Sequence, residues 1–443
     1  MSKFQKFNFG NKNEFLEKID ELGLEIGWSN DIDVLFEGLS FKSDKKIHNR
    51  FAIHPMEGCD AEKDGKPGKL TERRYLKFAR GGAGLIWWEA TSVVPEGRSN
   101  PRQLLLNKDN LDEFSALIDK INNEAIKENE YRPINLLQLN HSGRYSSPRG
   151  KKQPIYLFND PYTDKIANIT EDHNVVEDDY LKELEEKYFK AARFAKKAGF
   201  DGVDIKACHR YLLSEMLAAH TRNGEFGGNY HNRVKLIMNI IERIETFIDD
   251  LIIAVRINAY DCIPYPYGWG MKKEGLKKDL TEPIKLVKEL AKSGVEIFSI
   301  TASDPRIKPH IVRPFNRPVK EGEIPSEHPL EGCARLYNLT EKIQKEIPEK
   351  IVLGAGYSWL RQFFPYAAAS NIINKRAKMV GLGRMAFAYP HFVNDLKFNN
   401  RLNKNRVCVA CSKCTELMKK GGPTGCVVRD NKYLNIYKKT VKG

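Results

Sequence analysis

Four cysteines near the C-terminus have the residue type and the spacing of metal ligands. Cys408, Cys411 and Cys414 are three residues apart, and Cys426 follows after eleven further residues. Three thiolates so close together, with a fourth from a looping segment, can surround one soft-metal centre, and such sites select zinc or an iron–sulfur cluster. The tight run of three favours the cluster, because a zinc site usually takes two separated pairs. Unrelated reduced thiols are disfavoured, because half of the eight cysteines lie within nineteen residues.

A second set of candidate residues follows from the elements that would position it. Short apolar, β-branched runs alternate with longer amphipathic runs such as LDEFSALIDKINNEAIKEN. Near-continuous apolar strands indicate a parallel sheet covered by helices, and eight strand–helix units in series predict a (β/α)₈ TIM barrel. A doubly wound sheet is disfavoured by this count and by the absence of G-x-G-x-x-G after a strand. The predicted strands are 51–56, 84–90, 134–140, 202–208, 251–258, 295–301, 350–356 and 377–383.

The barrel needs about 250 residues, so the remainder must be extensions and loops. We predict an N-terminal extension at 1–34 with a helix at 12–23, a TIM barrel at 35–400, and a cysteine-rich segment at 401–443. Long loops are expected at 142–178, 259–280 and 302–330.

Chemistry in such barrels takes place at the C-terminal ends of the strands. The polar residues there are Glu57, Glu89, Gln138, His141, Lys206, His209, Tyr211, Arg256, Ser299 and Thr301. Glycine-containing turns end the last two strands, at Gly354–Gly356 and at Gly383–Arg384. Such turns offer backbone N–H groups to a phosphate, at the place where barrels often bind one.

Several motifs resemble the old yellow enzyme family of FMN-dependent oxidoreductases, over about residues 35–395. They are NRFAIHPM, GLIWWEATSVVPEGR, LQLNHSGR, AGFDGVDIKACHRYLLSEMLAAHTRNGEFGGNYHNR, VRIN and GLGR, in chain order. The cysteine segment resembles that of the larger members, the trimethylamine dehydrogenases and 2,4-dienoyl-CoA reductases. In those proteins the cysteines bind a [4Fe–4S] cluster beside the FMN.

The resemblance implies a role for each matching residue. Pro55 and Met56 would line the flavin ring, Gln138 would hydrogen-bond its pyrimidine part, and Glu89 belongs to the same cofactor-binding set. Arg256 would lie near N1 and O2, where a positive charge stabilises the reduced flavin. The phosphate would be held by Gly356, Gly383 and Arg384.

The chain departs from the family pattern on the fourth predicted strand. Members usually carry two histidines, or a histidine and an asparagine, that grip the substrate carbonyl, and here these positions are Lys206 and His209. Lys206 can stabilise an oxyanion and would favour a carboxylate, or it forms a salt bridge to Glu57 or Glu89. Tyr211 matches the tyrosine that often protonates substrate carbon, and Arg210 replaces a usual glycine. A glutamate, Glu57, stands where covalent-flavin relatives have cysteine, so the FMN should be non-covalent.

Composition excludes some function classes. The net charge is +14, but the lysines lie mostly on predicted helices, so we expect a solvated surface and no nucleic-acid binding. The N-terminus has no apolar signal region and no apolar stretch approaches a membrane span, so we expect a cytoplasmic protein without membrane association. Eight cysteines without a paired framework suggest a reducing compartment.

The sequence therefore predicts an oxidoreductase that uses FMN and a [4Fe–4S] cluster to reduce an activated C=C bond of a small, possibly anionic, carbonyl or carboxylate compound. Electrons would come from NAD(P)H or from an external carrier, and we expect a homo-oligomer. The alternatives are a Schiff-base lyase or aldolase using Lys206, an amine dehydrogenase or demethylase, and a non-catalytic flavin electron-transfer module. For the cysteines, structural zinc is the alternative.

Overall fold

The eight predicted strands form one closed barrel in the structure, a computed structural model that describes residues 3–41, 44–170 and 175–441. A two-residue hairpin precedes the barrel in the chain. The strands are β1 (Leu39–Ser40), β2 (Lys46–Ile47), β3 (Phe51–Ile53), β4 (Leu85–Ser92), β5 (Ile134–Asn140), β6 (Gly202–Ala207), β7 (Ile252–Asn258), β8 (Ile297–Thr301), β9 (Ile351–Gly354) and β10 (Met379–Leu382).

Helices follow the strands and cover the outside of the barrel. They are α1 (Lys12–Glu21), α2 (Lys69–Arg80), α3 (Leu111–Asn129), α4 (Asp164–Ala167), α5 (Asp178–Lys197), α6 (Leu212–Leu217), α7 (Tyr230–Phe247), α8 (Thr281–Lys292), α9 (Pro309–Val312), α10 (Pro329–Glu346), α11 (Phe364–Ile373), α12 (Arg384–Ala388), α13 (Phe392–Asn399), α14 (Lys413–Lys419) and α15 (Asn431–Val441). The helix predicted at 12–23 is therefore present as α1, whose N-cap Asn11 accepts a hydrogen bond from the backbone N–H of Glu14.

The strand order around the barrel is β3-β4-β5-β6-β7-β8-β9-β10, and β10 pairs with β3 to close it. Every pair in the barrel is parallel, from Gln138 opposite Asp204 to Lys206 opposite Arg256. The (β/α)₈ prediction is confirmed. In this order β6 lies diametrically opposite β10, so residues that end these two strands face each other across the mouth.

A packed interior closes the other end of the barrel. Alternate strand residues such as Leu85, Trp87 and Leu136 form a separate apolar cluster inside the sheet, together with Phe41 and Ile47 from the hairpin region. The same cluster contains Ile252, which begins β7. The hairpin region therefore covers the N-terminal end of the barrel. Among the described residues, side chains thus fill the N-terminal end of the barrel, and ligands can enter at its C-terminal end.

The chain segments outside the barrel pack onto it. Phe7, Phe9 and Phe15 join the main core beside Trp359 and Phe363. The cysteine segment is tied down by hydrogen bonds from the backbone N–H of Asn316 to the carbonyl of Ala410 (2.9 Å) and from that of Thr424 to the carbonyl of Gly58 (2.7 Å). Asp430 adds ion pairs to Arg73 and Lys77, both at 2.8 Å.

Candidate active site

A cavity of about 360 Å³ lies over the C-terminal ends of the barrel strands. This volume is in the range of small-molecule sites. Most of the residues that we predicted to act on a cofactor or substrate line it, and the cysteine segment supplies part of its wall. The lining includes Pro55, Met56, Gln138, Lys206, His209, Tyr211, Arg256, Gly356, Gly383 and Arg384, together with Arg306, Arg313, Cys414, Met418, Lys419 and Thr424.

Gln138 and Arg256 are positioned by one buried carboxylate between them. Asp204 accepts hydrogen bonds from Gln138 Nε2 (2.5 Å), from the backbone N–H of Arg256 (2.8 Å) and from Trp87 Nε1 (2.9 Å). Burial raises the pKa of Asp204 to about 6. Sequence reasoning missed Asp204, although an acidic residue in the middle of an apolar strand was a signal for it.

The side of the cavity at β3 and β10 is closely packed. A Cβ atom at Gly381 would lie 1.9 Å from His54 Nε2, and one at Gly383 would lie 3.0 Å from the sulfur of Met56. Glycine is therefore required at 381, because a side chain there would displace the imidazole ring. Burial lowers the pKa of His54 to about 3, so this ring is neutral.

The end of the cavity near β9 and β10 has the donors that a phosphate needs. Gly356 has a φ of 96° and follows β9, while Arg384 begins α12 after Gly383. Arg384 Nη2 donates to the carbonyl of Pro314 at 2.6 Å. Within the described part of the chain, Nη1 of Arg384 and Nη1 of Arg313 are buried without a hydrogen-bond partner. Two guanidinium groups with free N–H bonds fit the dianionic phosphate of FMN.

Lys206, His209 and Tyr211 are brought together where the chain turns after β6. His209 and Arg210 both have left-handed backbone conformations, with φ of 62° and 58°. The Lys206 ammonium lies 3.8 Å from the centre of the Tyr211 ring, and Tyr211 Oη accepts a hydrogen bond from Arg306 Nη2 at 3.2 Å. The turn thus places a cation, an imidazole and a phenol on one side of the cavity.

Burial sets the protonation state of these three groups. It lowers the pKa of Lys206 to about 8 and holds the pKa of His209 well below its ordinary value, helped by the charges of Arg256, Lys206 and Arg306. Burial also raises the pKa of Tyr211, while Arg306 acts in the opposite direction. At neutral pH the lysine is charged, the histidine is neutral and the phenol keeps its proton.

Arg210 maintains the turn from the side away from the cavity. Its guanidinium is fully buried and lies between Asp160 (2.6 Å) and Asp261 (3.4 Å), which are also fully buried. Asp160 belongs to the loop after β5 and Asp261 to the loop after β7. The arginine that replaces a glycine in the family pattern therefore joins three strand-end loops.

Glu89, which we predicted to bind the cofactor, is placed elsewhere. The pairing of β4 with β5 shifts register between Trp88 and Thr91, so Ala90 lines the cavity instead. The buried carboxylate of Glu89 forms an ion pair with Arg74 on α2 and accepts the N–H of Gly58 at 2.5 Å. This bulge turns Glu89 outward, toward the helix layer.

The salt bridge considered for Lys206 is also not formed. Glu57 accepts hydrogen bonds from Ser99 Oγ and, at 2.7 Å, from Asn100 Nδ2. Glu89 is occupied by Arg74. Across the described residues, the Lys206 ammonium has no ion-pair partner, although the residue is only 6% exposed.

The four C-terminal cysteines line one small chamber beside the main cavity. All four are free thiols, and Cys408 Sγ accepts the backbone N–H of Ala410 at 3.4 Å. Over 3–41, 44–170 and 175–441, no three His, Cys, Asp or Glu side chains are grouped closely enough to hold a metal ion. Arg384, Phe387 and Cys414 line both the chamber and the main cavity, so the two share a wall.

The fold and the site together define a TIM-barrel protein with a mouth suited to a flavin phosphate and ring. The chain belongs to the NADH:flavin oxidoreductase / NADH oxidase family, whose family model matches residues 34–405. It is 26% identical over 373 residues to an NADH oxidase of Thermoanaerobacter brockii, covering 83% of this chain and 51% of the relative. It is 29% identical over 291 residues to an NADPH dehydrogenase of Listeria monocytogenes, covering 63% of this chain and 78% of the relative.

Solved structures support the fold. A 2-naphthoyl-CoA reductase in complex with 2-naphthoyl-CoA aligns with a TM-score of 0.72 at 18% identity, over 92% of this chain and 58% of that one. A histamine dehydrogenase from Rhizobium sp. 4-9 aligns with a TM-score of 0.67 at 18% identity, over 89% of this chain and 52% of that one. The old yellow enzyme homologue from Zymomonas mobilis aligns with a TM-score of 0.60 at 20% identity, over 85% of this chain and 96% of that one. The chain thus spans about half the length of the NADH oxidase and of the first two structures.

None of the helices in the described ranges is long and apolar enough to cross a membrane.

Proposed function

We propose that this protein is an FMN-dependent oxidoreductase that takes electrons from NAD(P)H and reduces the activated C=C bond of a small carbonyl or carboxylate compound. One observation carries the proposal. A single cavity combines unsatisfied guanidinium donors at the β9–β10 end, Gln138 and Arg256 in the middle, and a protonated phenol at the β6 end. The names of the relatives, NADH oxidase and NADPH dehydrogenase, support the same class of reaction.

The proposed cofactor roles follow from these positions. Arg384, Gly356 and Gly383 hold the phosphate, and Pro55 and Met56 flank the ring. When bound, FMN supplies a group that accepts and donates hydride. The fixed charge of Arg256, whose backbone is anchored to Asp204, favours negative charge on the nearby ring.

Tyr211 is the proposed proton donor to the substrate. Its phenol is protonated at neutral pH, and Arg306 at 3.2 Å stabilises the tyrosinate that proton transfer would leave. His209 is neutral, and its Nε2 lies 3.5 Å from Thr301 Oγ1, so the ring can take part in hydrogen bonding to the substrate without adding charge.

For the cysteines we propose a [4Fe–4S] cluster that would exchange electrons with an external carrier. The thiols would have to rearrange to bind it, because no three metal-ligating side chains among the described residues are grouped to hold a metal ion. The support is that all four free thiols line one chamber, which shares Arg384, Phe387 and Cys414 with the main cavity. A backbone N–H directed at Cys408 Sγ, as found here, stabilises a ligating thiolate. Zinc is the alternative occupant, and metal analysis distinguishes the two.

The charge of the cavity bears on the amine dehydrogenase alternative. Six basic side chains line it and Glu57 is the one acidic residue among the lining residues, so a cationic amine would be repelled. The Schiff-base alternative would use Lys206, whose pKa is lowered by burial to about 8, and a purified protein without flavin colour would favour it. The flavin electron-transfer module is excluded if the protein turns over a substrate by itself.

The test begins with the visible spectrum of anaerobically purified protein. We expect a flavin spectrum, release of FMN on acid precipitation, and anaerobic bleaching by NADH or NADPH that 2-cyclohexenone reverses. Arg384→Ala should lower FMN occupancy, and Arg401→Ala, a matched change at an exposed position, should not. A colourless protein that cannot be reconstituted with FMN, or one bleached but never reoxidised by an activated alkene, would contradict the proposal.

A further inference from the structure

A buried carboxylate, Asp204, lies next to the cavity without lining it. The residue is fully buried on β6, where the strand register places it opposite Gln138 on β5 and Ala254 on β7. Ala254 and Trp87, a hydrogen-bond partner of Asp204, belong to the apolar cluster inside the barrel. An ionisable side chain at the edge of an apolar core is costly, so its presence there indicates a use beyond packing.

Three N–H groups hold this carboxylate in place. Its Oδ2 atom accepts hydrogen bonds from Gln138 Nε2 (2.5 Å) and Trp87 Nε1 (2.9 Å), and Oδ1 accepts the backbone N–H of Arg256 (2.8 Å). Burial raises the pKa of Asp204 to about 6, while these hydrogen bonds and the charge of Arg256 act against that rise. At pH 7 the carboxylate is therefore mostly ionised, and a negative charge lies between the two residues in the middle of the cavity.

The first consequence is a fixed orientation of the Gln138 amide. An ionised carboxylate only accepts hydrogen bonds, so the end of the amide that faces Asp204 is the NH₂ end. The other end, Oε1, accepts no hydrogen bond from the described residues and is not one of their buried unsatisfied atoms. Gln138 therefore presents an acceptor to the cavity that it lines. The pyrimidine part of oxidised FMN has one N–H donor, at N3, and this oxygen fits it.

The second consequence is electrostatic. Arg256 lines the cavity, and within the described ranges it forms no ion pair, so its positive charge acts on a ring that occupies the mouth. Asp204 is close enough for the charge of Arg256 to lower its pKa. By the same interaction, the charge of Asp204 reduces the positive potential that Arg256 produces at the ring. An anionic reduced flavin is then stabilised less than it would be by Arg256 alone.

We infer that Asp204 is a positioning residue that sets the reduction potential of the flavin, by fixing the Gln138 amide and by opposing the charge of Arg256. The inference rests on the proposed function and concerns the balance between its two half-reactions. A flavin beside an unopposed arginine would accept hydride from NAD(P)H readily but would be a weak donor to an alkene. The buried carboxylate lowers the potential, so the reduced flavin remains a strong enough donor.

Asp204→Asn tests the inference, because it removes the charge and keeps the shape of the side chain. The reduction potential of bound FMN is measured anaerobically at pH 7 against reference dyes, for wild type and variant. We expect the variant to favour reduced over oxidised FMN by about tenfold more than wild type, which raises the potential by about 30 mV for a two-electron couple. An unchanged or lower potential would overturn the inference.

Stopped-flow kinetics give a second readout on the same variant. Reduction of the flavin by NADPH or NADH should be as fast in Asp204→Asn as in wild type, or faster. Reoxidation by 2-cyclohexenone should slow by roughly two- to tenfold, a part of the change in driving force. A residue that only supports the fold would not divide the two half-reactions in this way, so equal slowing of both would also overturn the inference.

Asp201→Asn is the matched control. Asp201 directly precedes β6 at the other end of the barrel and is also buried, and its carboxylate pairs with Arg132 (2.8 Å) and accepts the N–H of Asn135 (2.9 Å). Its replacement should change the preference for reduced FMN by less than about twofold, because its charge is far from the mouth. Asp204→Glu keeps the negative charge and should stay closer to the wild-type potential than Asp204→Asn. A shift in Asp201→Asn as large as that in Asp204→Asn would contradict the assignment.

A measurement on wild type covers the case in which Asp204→Asn does not fold. Apoprotein is titrated with FMN and with 3-methyl-FMN, which has no hydrogen on N3. We expect FMN to bind about tenfold more tightly, from the cost of leaving a buried acceptor unsatisfied, and Gln138→Leu should lose most of this preference. Equal affinities in wild type would show that Gln138 does not present Oε1, and would overturn the orientation that we assign to Asp204.

The same samples distinguish failure of this inference from failure of the proposed function. Protein that holds FMN and reduces 2-cyclohexenone, but whose potential does not respond to Asp204→Asn, overturns only the role of Asp204. Protein that binds no FMN overturns the proposed function and this inference with it.

Discussion

Replacing Arg210 should destabilise the barrel strongly, although the residue does not line the cavity. Arg210→Met leaves Asp160 and Asp261 fully buried without their cation. Removing one partner of a buried ion pair typically costs about 3–5 kcal/mol. We expect a loss of this size in the free energy of unfolding, measured by urea denaturation followed by circular dichroism.

A glycine at the same position provides an internal comparison. The φ of 58° at Arg210 is a left-handed conformation, which costs a non-glycine residue about 1–2 kcal/mol. Arg210→Gly removes this strain but leaves the same two carboxylates unpaired. It should therefore be less destabilising than Arg210→Met by about that amount, and still less stable than wild type.

The loss in Arg210→Met should depend on pH. Burial raises the pKa of Asp261 and the Arg210 guanidinium acts against that rise, so removing the guanidinium moves the folded-state pKa of Asp261 further above its unfolded value. The destabilisation is then small near the unfolded pKa of about 4 and grows as the pH rises toward the raised folded value. We therefore expect Arg210→Met to lose more unfolding free energy at pH 8 than at pH 5.

The control is Arg406→Met, which breaks an ion pair to Asp395 whose members are 50% and 28% exposed. An exposed pair is worth about 1 kcal/mol or less. Adding Asp160→Asn and Asp261→Asn to Arg210→Met should recover much of the stability, because the buried charges are then removed together. If Arg210→Met loses no more unfolding free energy than Arg406→Met, Arg210 does not hold the three strand-end loops together as described.

Two further predictions concern the site. Tyr211→Phe should slow substrate reduction by at least about tenfold in stopped-flow measurements, with flavin reduction little changed. Tyr145→Phe, whose hydroxyl instead donates to Asp304, is its control, and equal slowing of both half-reactions in Tyr211→Phe would indicate a structural role. Anaerobic wild type should contain about four irons per chain, as a cluster with four cysteine ligands requires; Cys414→Ser should lose iron, Cys262→Ser should not, and zinc in wild type would indicate a structural clasp.

The architecture could be predicted because it depends on patterns that the sequence carries locally. Apolar runs such as 134–140 and 251–258 require burial on both faces, and their number determined the barrel. Gln138, Lys206 and Arg256 were found because a strand end has a fixed place at the mouth. Their observed positions in one cavity follow from the parallel register.

The positions of the residues that were missed or misplaced depend on tertiary contacts, which the hydrophobic periodicity of the sequence does not encode. Arg306 and Arg313 lie in a loop whose path is set by contacts with Tyr145, Arg384 and the cysteine segment, so its sequence indicated only a basic approach. Glu89 was placed at the mouth by its position near a strand end, but a bulge in that strand turns its side chain outward. Such positions require the tertiary structure.

The shared wall between the main cavity and the cysteine chamber has a consequence for how the protein is made. The last barrel strand ends at Leu382, but Cys414, Met418 and Thr424 complete the cavity. Since chains emerge from the ribosome N-terminus first, the sheet can close while one side of the ligand site is still missing. A nascent chain interrupted between these points would be a folded barrel with an open pocket, and tight retention of a ligand would begin only after residue 424 had been synthesised.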